Sequence, residues 1–197
     1  MANKKKLAYR PELAEVEAEM NRVRSKGKYH QALVSTFGAV VIVAALAVLI
    51  ASIVLPVFQV TGVSMQPGFQ PGDIIVCYKA GNLKQGDICS FYFNNKLIIK
   101  RIIAQGGDIV EIDEEGHVSV NGTVLEESSY ISEYALGMCD LEFPFEVPLD
   151  KYFVLGDNRD NSVDSRVTNF GCIGSEEMVG KILLRIWPLN GLAWYGF

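Results

Sequence analysis

The pattern of apolar and polar positions changes rhythm twice along the chain. From Phe37 to Phe58 it reads "FGAVVIVAALAVLIASIVLPVF", an apolar run of 22 residues with no polar face. A helix of that length spans roughly 33 Å, close to the hydrocarbon thickness of a bilayer. A buried helix of a soluble domain would normally keep one polar side, so the run predicts a membrane span. Before it, residues 7–26 are rich in Ala, Glu and Arg and fit a short solvated helix or a disordered leader. From residue 73 the period shortens to that of strands. "DIIVCYK" (73–79), "DICSFYF" (87–93), "KLIIKRIIA" (96–104), "DIVEI" (108–112), "YFVLG" (152–156) and "VGKILLRIWPL" (179–189) are short β-type runs separated by turn residues. "HVSVNGTVL" (117–125) places Asn121-Gly122 between two apolar runs and predicts a hairpin. Residues 126–150, with Pro144 and Pro148, read as an irregular excursion. Many short strands without a helical period predict an all-β domain after the span.

Charge gives the span a direction. Residues 1–31 carry eight basic and four acidic side chains, a balance of +4, and the remainder carries ten basic and nineteen acidic, a balance of −9. Between Lys28 and Asp73 there is no charge. The basic side is expected in the cytoplasm, and residues 59–197 on the far side of the membrane. A cleaved signal sequence fits poorly, because the leader is long and no A-x-A-like site follows the run. The net charge of −5 argues against wholesale nucleic-acid binding. Cys77, Cys89, Cys139 and Cys172 lack zinc-type spacing and read as small core residues, with one unassigned bridge open to them. The tail "IWPLNGLAWYGF" suits core packing, or interfacial contact through Trp187, Trp194 and Tyr195.

Ser64 stands six residues beyond the span, ahead of Met65, Gln66, Pro67 and Gly68. A nucleophilic serine needs a base. Of two histidines, His30 belongs to the leader, and His117 follows "DEEG" in a surface-type turn. A neutral lysine is the alternative, and it requires burial. Lys100 lies among Ile98, Ile99, Ile102 and Ile103. In a strand Lys100 and Arg101 face opposite ways, and only lysine can shed its charge. An edge strand with two solvated cations would explain that stretch equally well. "GDNRDNSVDSR" (156–166) packs hydroxyls and opposite charges at a strand end. It reads as a solvated loop, or as a fixed polar network able to orient an amine.

In these motifs the chain resembles the type I signal peptidases, membrane-bound Ser-Lys proteases that remove signal peptides from exported proteins. Ser64-Met65 with Pro67, "GDIIVCYK" (72–79), Lys100-Arg101 with Gly107-Asp108, and "GDNRDNSVDSR" carry the resemblance. It implies a mostly β catalytic domain (59–197) with a small β-rich insertion near 107–150, after a cytoplasmic leader (1–31) and a transmembrane helix (32–58). Ser64 would be the nucleophile and Lys100 the general base. Ser162 would orient the lysine, and Asp164 and Arg166 would form a supporting salt bridge. Backbone N–H groups at Ser64 and Gly62 would hold the oxyanion, and Met65, Ile98 and Ile99 would form shallow substrate pockets. No metal or cofactor is expected. The implied partners are signal peptides of exported preproteins and the lipid bilayer, at the outer face of a bacterial cytoplasmic membrane. The chain departs from the family pattern in three places. Gly68 replaces threonine, "AQGGD" (104–108) replaces Gly-x-Pro-Gly-Asp, and Gly62 stands where some members carry serine. They leave room for a relative with a narrow client set, such as pilus subunits. A silent membrane-anchored β-domain would have lost Ser64 or Lys100, and both are present.

Overall fold

Forty-two residues, Leu13–Val54, form a single helix, α1, in the computed structural model, which describes residues 12–79 and 83–195. Most of the solvated stretch and the apolar run are therefore one continuous helix. The start of the leader, with Lys4, Lys5, Lys6 and Arg10, lies outside the described residues. The part long and apolar enough to cross a membrane is Lys28–Val54, 27 residues whose most apolar 18-residue window has a mean hydropathy of 2.9 and no burial. That corresponds to about 40 Å of helix. The apolar run outlasts the helix. Pro56 has no N–H to continue the ladder, and Val57 and Phe58, read as the end of the span, belong to a strand.

The chain divides into two compact units, residues 1–50 and 51–197. The second is built from β1 (Val57–Gln59), β2 (Ile74–Tyr78), β3 (Ile88–Phe93), β4 (Lys96–Gln105), β5 (Ile109–Ile112), β6 (Val118–Val120), β7 (Thr123–Val124), β8 (Phe145–Glu146), β9 (Lys151–Leu155), β10 (Ile173–Gly174), β11 (Met178–Trp187) and β12 (Ala193–Trp194). The mainly β fold expected from the sequence is what forms. One sheet has the order β1-β2-β11-β3-β4-β9-β10, with β12 paired to β11. Its pairings are antiparallel. Bulges in β11 let that long strand change partners along its length. A second sheet, β7-β6-β5-β8, comes from residues 109–146, within the expected insertion. Its hairpin turns at Asn121 (φ 52°) and Gly122 (φ 78°), the two left-handed positions that a type I′ turn demands.

Apolar alternation decides the packing. Val110, Ile112, Val118 and Val120 from the second sheet meet Ile103, Phe153 and Leu155 from the first in one buried cluster. A second cluster gathers Val60, Met65, Phe69, Ile75, Cys77 and Ile182, with Phe58, Ile99 and Tyr195 against it. A third holds Cys89, Phe91, Ile102, Val154 and Ile173. All four cysteines are free, and Cys77 and Cys89 are core residues as read. The tail divides between its two readings. Tyr195 packs on Phe69, with ring centroids 4.8 Å apart, and its N–H bonds Leu183 O. Trp187 and Trp194 stay about half exposed.

Candidate active site

The second cluster ends at a cavity of about 610 Å³. Ser64 and Gly62 line it, together with Met65, Ile98, Ile99 and Lys100, and so do Phe58, Leu97 and Val163. Six residues named from the sequence thus come together, although 36 positions separate Ser64 from Lys100. The segment after β1 reverses through a turn at 64–68. Gln66 N–H bonds Val63 O at 3.1 Å and Phe69 N–H bonds Met65 O at 2.9 Å. Burial of Met65 and Phe69 (2% and 0% exposed) holds this turn against the sheet and leaves Ser64 half-buried at the cavity.

Lys100 arrives from β4 and is only 2% exposed. Its Nζ donates to Ser162 Oγ at 2.8 Å. Ser162 Oγ in turn donates to Asp164 Oδ2 at 2.6 Å. The serine's single proton is therefore used on the carboxylate, and its oxygen can only accept from the amine. A neutral amine bound this way keeps its lone pair for another partner. Asp164 is fully buried and also receives Gly156 N–H (3.0 Å) and the Arg166 guanidinium through Nε (2.8 Å) and an Nη (2.9 Å). Arg166, also buried, spends its remaining donors on Leu136 O, Ala135 O and Arg159 O. Ser162, Asp164 and Arg166 thus form one continuous network behind the lysine.

Burial lowers the Lys100 pKa from its ordinary 10.5 to about 8. The Asp164 carboxylate pushes it back up, Arg166 pushes it down, and Asp157 pushes it up. Ser162 itself is uncharged, but the Asp164 carboxylate stands directly behind it. Desolvation outweighs that charge, and Arg166 offsets part of it.

Arg101 faces away from this network, as strand alternation requires. It holds Asp157 through two bonds (2.8 and 2.7 Å) and lies over the Tyr130 ring at 3.9 Å from its centroid. Several site neighbours were not singled out from the sequence. Asn158 N–H bonds Ser64 O at 3.0 Å, and its side chain donates to Val63 O at 3.2 Å. Gly156 packs so tightly that a Cβ would overlap Ser162 Oγ and approach Ser64 O. Val163 joins the cavity wall. Their only sequence signal was membership of the polar run 156–166. His117 does not line the cavity. It is exposed beside Asp113 (3.1 Å), and with Glu115 these three have ligand-type atoms within 4.8 Å of one another.

The departures from the family pattern are accommodated. Gly68 O accepts from Arg185 at 2.8 Å, and Arg185 also pairs with Asp73 at 3.0 Å. Gly62 has open space where a side chain would stand.

A family model described as "Signal peptidase, peptidase S26" matches residues 33–187. Signal peptidase I of Leptolyngbya laminosa is 37% identical over 127 residues, covering 64% of this chain and 56% of that protein. Signal peptidase IB of Staphylococcus aureus strain COL is 34% identical over 153 residues, covering 68% of this chain and 78% of the relative. A crystal structure of a signal peptidase I from Enterococcus faecalis V583 aligns with a TM-score of 0.42 at 28% identity, covering 51% of this chain and 97% of that one. The class is that of the serine endopeptidases. The matched residues include the strands and the loops that line the cavity, and the chain belongs to the signal peptidase family, peptidase S26.

Proposed function

We propose that this protein cleaves signal peptides from exported preproteins, with Ser64 as nucleophile and Lys100 as general base. One observation carries the assignment. A lysine 2% exposed, with its pKa lowered to about 8, donates to a serine that has given its own proton away, and it lines the same cavity as Ser64. In the proposed reaction neutral Lys100 takes the Ser64 proton as Oγ attacks the scissile carbonyl. Backbone N–H groups at Ser64 and Gly62 hold the oxyanion. The ammonium then protonates the departing amine, and the acyl-enzyme forms. Lys100, neutral again, activates the water that releases the signal peptide. Ser162 orients the amine throughout, and the Asp164–Arg166 pair fixes Ser162.

Topology suggests how the peptide is held. β9 pairs with β4 only from Arg101 onward. The outer edge of β4 from Lys96 to Lys100 has no strand partner among the described residues. An extended peptide can add to such an edge, its side chains alternating into the cavity. Met65, Ile98 and Ile99 give that cavity a shallow apolar wall suited to small residues at −1 and −3. In the proposed topology the leader is cytoplasmic, helix Lys28–Val54 crosses the bilayer, and residues 59–197 are extracytoplasmic.

The test is cleavage of a preprotein by purified protein. Lys100→Ala and Lys100→Arg should both abolish it with circular dichroism unchanged, and Ser162→Ala should weaken it. For the parent, kcat/KM should rise with pH through about 8, the pKa at which Lys100 becomes neutral. Near-parent activity in Lys100→Arg would overturn the assignment and make His117 the base to examine.

A further inference from the structure

Glu127 lies in the excursion 126–150, to which the sequence assigned no role, and its side chain is fully buried. Two donors converge on its Oε1: an Arg159 Nη at 2.6 Å and the Tyr130 hydroxyl at 2.7 Å. Its Oε2 has no hydrogen-bond partner. Arg159, 3% exposed, also donates Nε to Gly156 O at 3.0 Å. Tyr130 supports Arg101, which holds Asp157 by two bonds. Glu127 therefore grips residues 156 and 157 from behind by two arms. The opposite side of the same short segment faces the dyad. Gly156 N–H bonds Asp164, Asn158 N–H bonds Ser64 O, and Gly156 leaves no room for a Cβ beside Ser162.

We propose that Glu127 is a positioning residue for catalysis, acting through Arg159 and Gly156 on the Ser162 hydroxyl that holds Lys100. The proposal rests on the Ser-Lys reading above. A buried ion pair contributes little to stability after desolvation, and an unpartnered carboxylate oxygen makes the arrangement dearer still. What the pair does supply is a fixed place for Gly156. A loop free to move by an ångström at 156–158 would loosen both halves of the dyad together, because that segment bonds Ser64 O on one side and Asp164 on the other.

The test compares Glu127→Gln and Arg159→Lys with the parent in preprotein cleavage across pH. Glutamine keeps the shape and removes the charge. Lysine leaves Glu127 a cation and removes the Nε bond to Gly156 O. In both, kcat should fall roughly tenfold or more while KM stays within about twofold, since the loss is of orientation and not of binding. The ascending limb of the pH profile should also move upward, because a loosened amine regains water and burial is what holds its pKa down. Should Glu127→Gln fail to fold, the milder Arg159→Lys decides. A folded variant with the parent's kcat and pH limb, and only a lowered Tm, would overturn the proposal. Lys100→Ala is run alongside. If it is inactive while both variants match the parent, the positioning role alone fails. If it is active, the Ser-Lys reading fails instead.

Discussion

At the scale of single residues, Lys100 shows a conflict between chemistry and stability. Holding its folded pKa near 8 against an ordinary 10.5 costs the native state about 3 kcal/mol at neutral pH. The sign follows from the proton count. Between pH 8 and 10.5 the unfolded chain binds more protons at this position than the native one, so native stability rises with pH across that window. Below pH 8 the penalty is present in full. Lys100→Met keeps length and apolar stem and removes the amine. It should raise Tm at pH 6–7, the gain fading as pH approaches 10.5, while cleavage is lost. Differential scanning calorimetry at pH 6.5 and 10 would measure this, and equal shifts at both values would contradict it.

At the scale of elements, the turn joining β4 to β5 decides how the family departure "AQGGD" should be read. It is tightly made. Asp108 Oδ2 accepts Gln105 N–H at 2.8 Å, Gly107 N–H bonds Val147 O at 2.8 Å, and Val147 N–H bonds Asp108 O at 2.9 Å. A Cβ at Gly106 would lie 2.8 Å from Leu149 Cα and 2.9 Å from both Asp150 N and Pro148 O, all backbone atoms that cannot easily move. The chain has thus used the missing side chain to bring residues 148–150 in close. Proline in a turn ordinarily stabilises by restricting the unfolded chain. Here Gly106→Pro, which restores the usual family residue, should instead destabilise by about 1–3 kcal/mol through overpacking. Urea denaturation would read the shift in midpoint, and a gain in stability would refute the packing argument.

At the scale of the whole molecule, an apolar helix precedes a β domain that carries the candidate site close to its start. β1 begins at Val57 and Ser64 follows seven residues later. The helix itself ends at Val54, ten residues before Ser64, and ten extended residues reach at most about 36 Å, so an anchored helix would limit how far Ser64 can lie from the bilayer. The proposed topology is checked by adding protease to cells whose cytoplasmic membrane is directly accessible. Only the leader and the helix should be protected, and protection of residues 59–197 would reverse the orientation. Cleavage of preproteins in vesicles should also exceed that by a chain truncated before residue 51, because membrane confinement raises the encounter frequency of enzyme and substrate.

Local pattern alone determined a good part of this protein. Apolar runs, turn residues and the Asn121-Gly122 pair act on neighbouring backbone, so the apolar helix, the strands and the hairpin were legible without tertiary information. Ser64 and Lys100 were named from the sequence as candidates only, the one because it follows an apolar run, the other because isoleucines surround it, a setting that a solvated edge strand fitted equally well. Three things depended on contacts between distant residues. Val57 and Phe58 leave the apolar run for a strand because β2, distant in sequence, offers them pairing. The charge behind Ser162 became visible only when the 156–166 loop folded back on itself and brought Asp164 and Arg166 to the lysine. Glu127 carried no sequence signal, since its partners Tyr130 and Arg159 acquire meaning only when the excursion packs against that loop. Burial and long-range hydrogen bonds are properties of the folded whole. They decide which way an amine's lone pair points, and a linear pattern of apolar and polar positions does not record that.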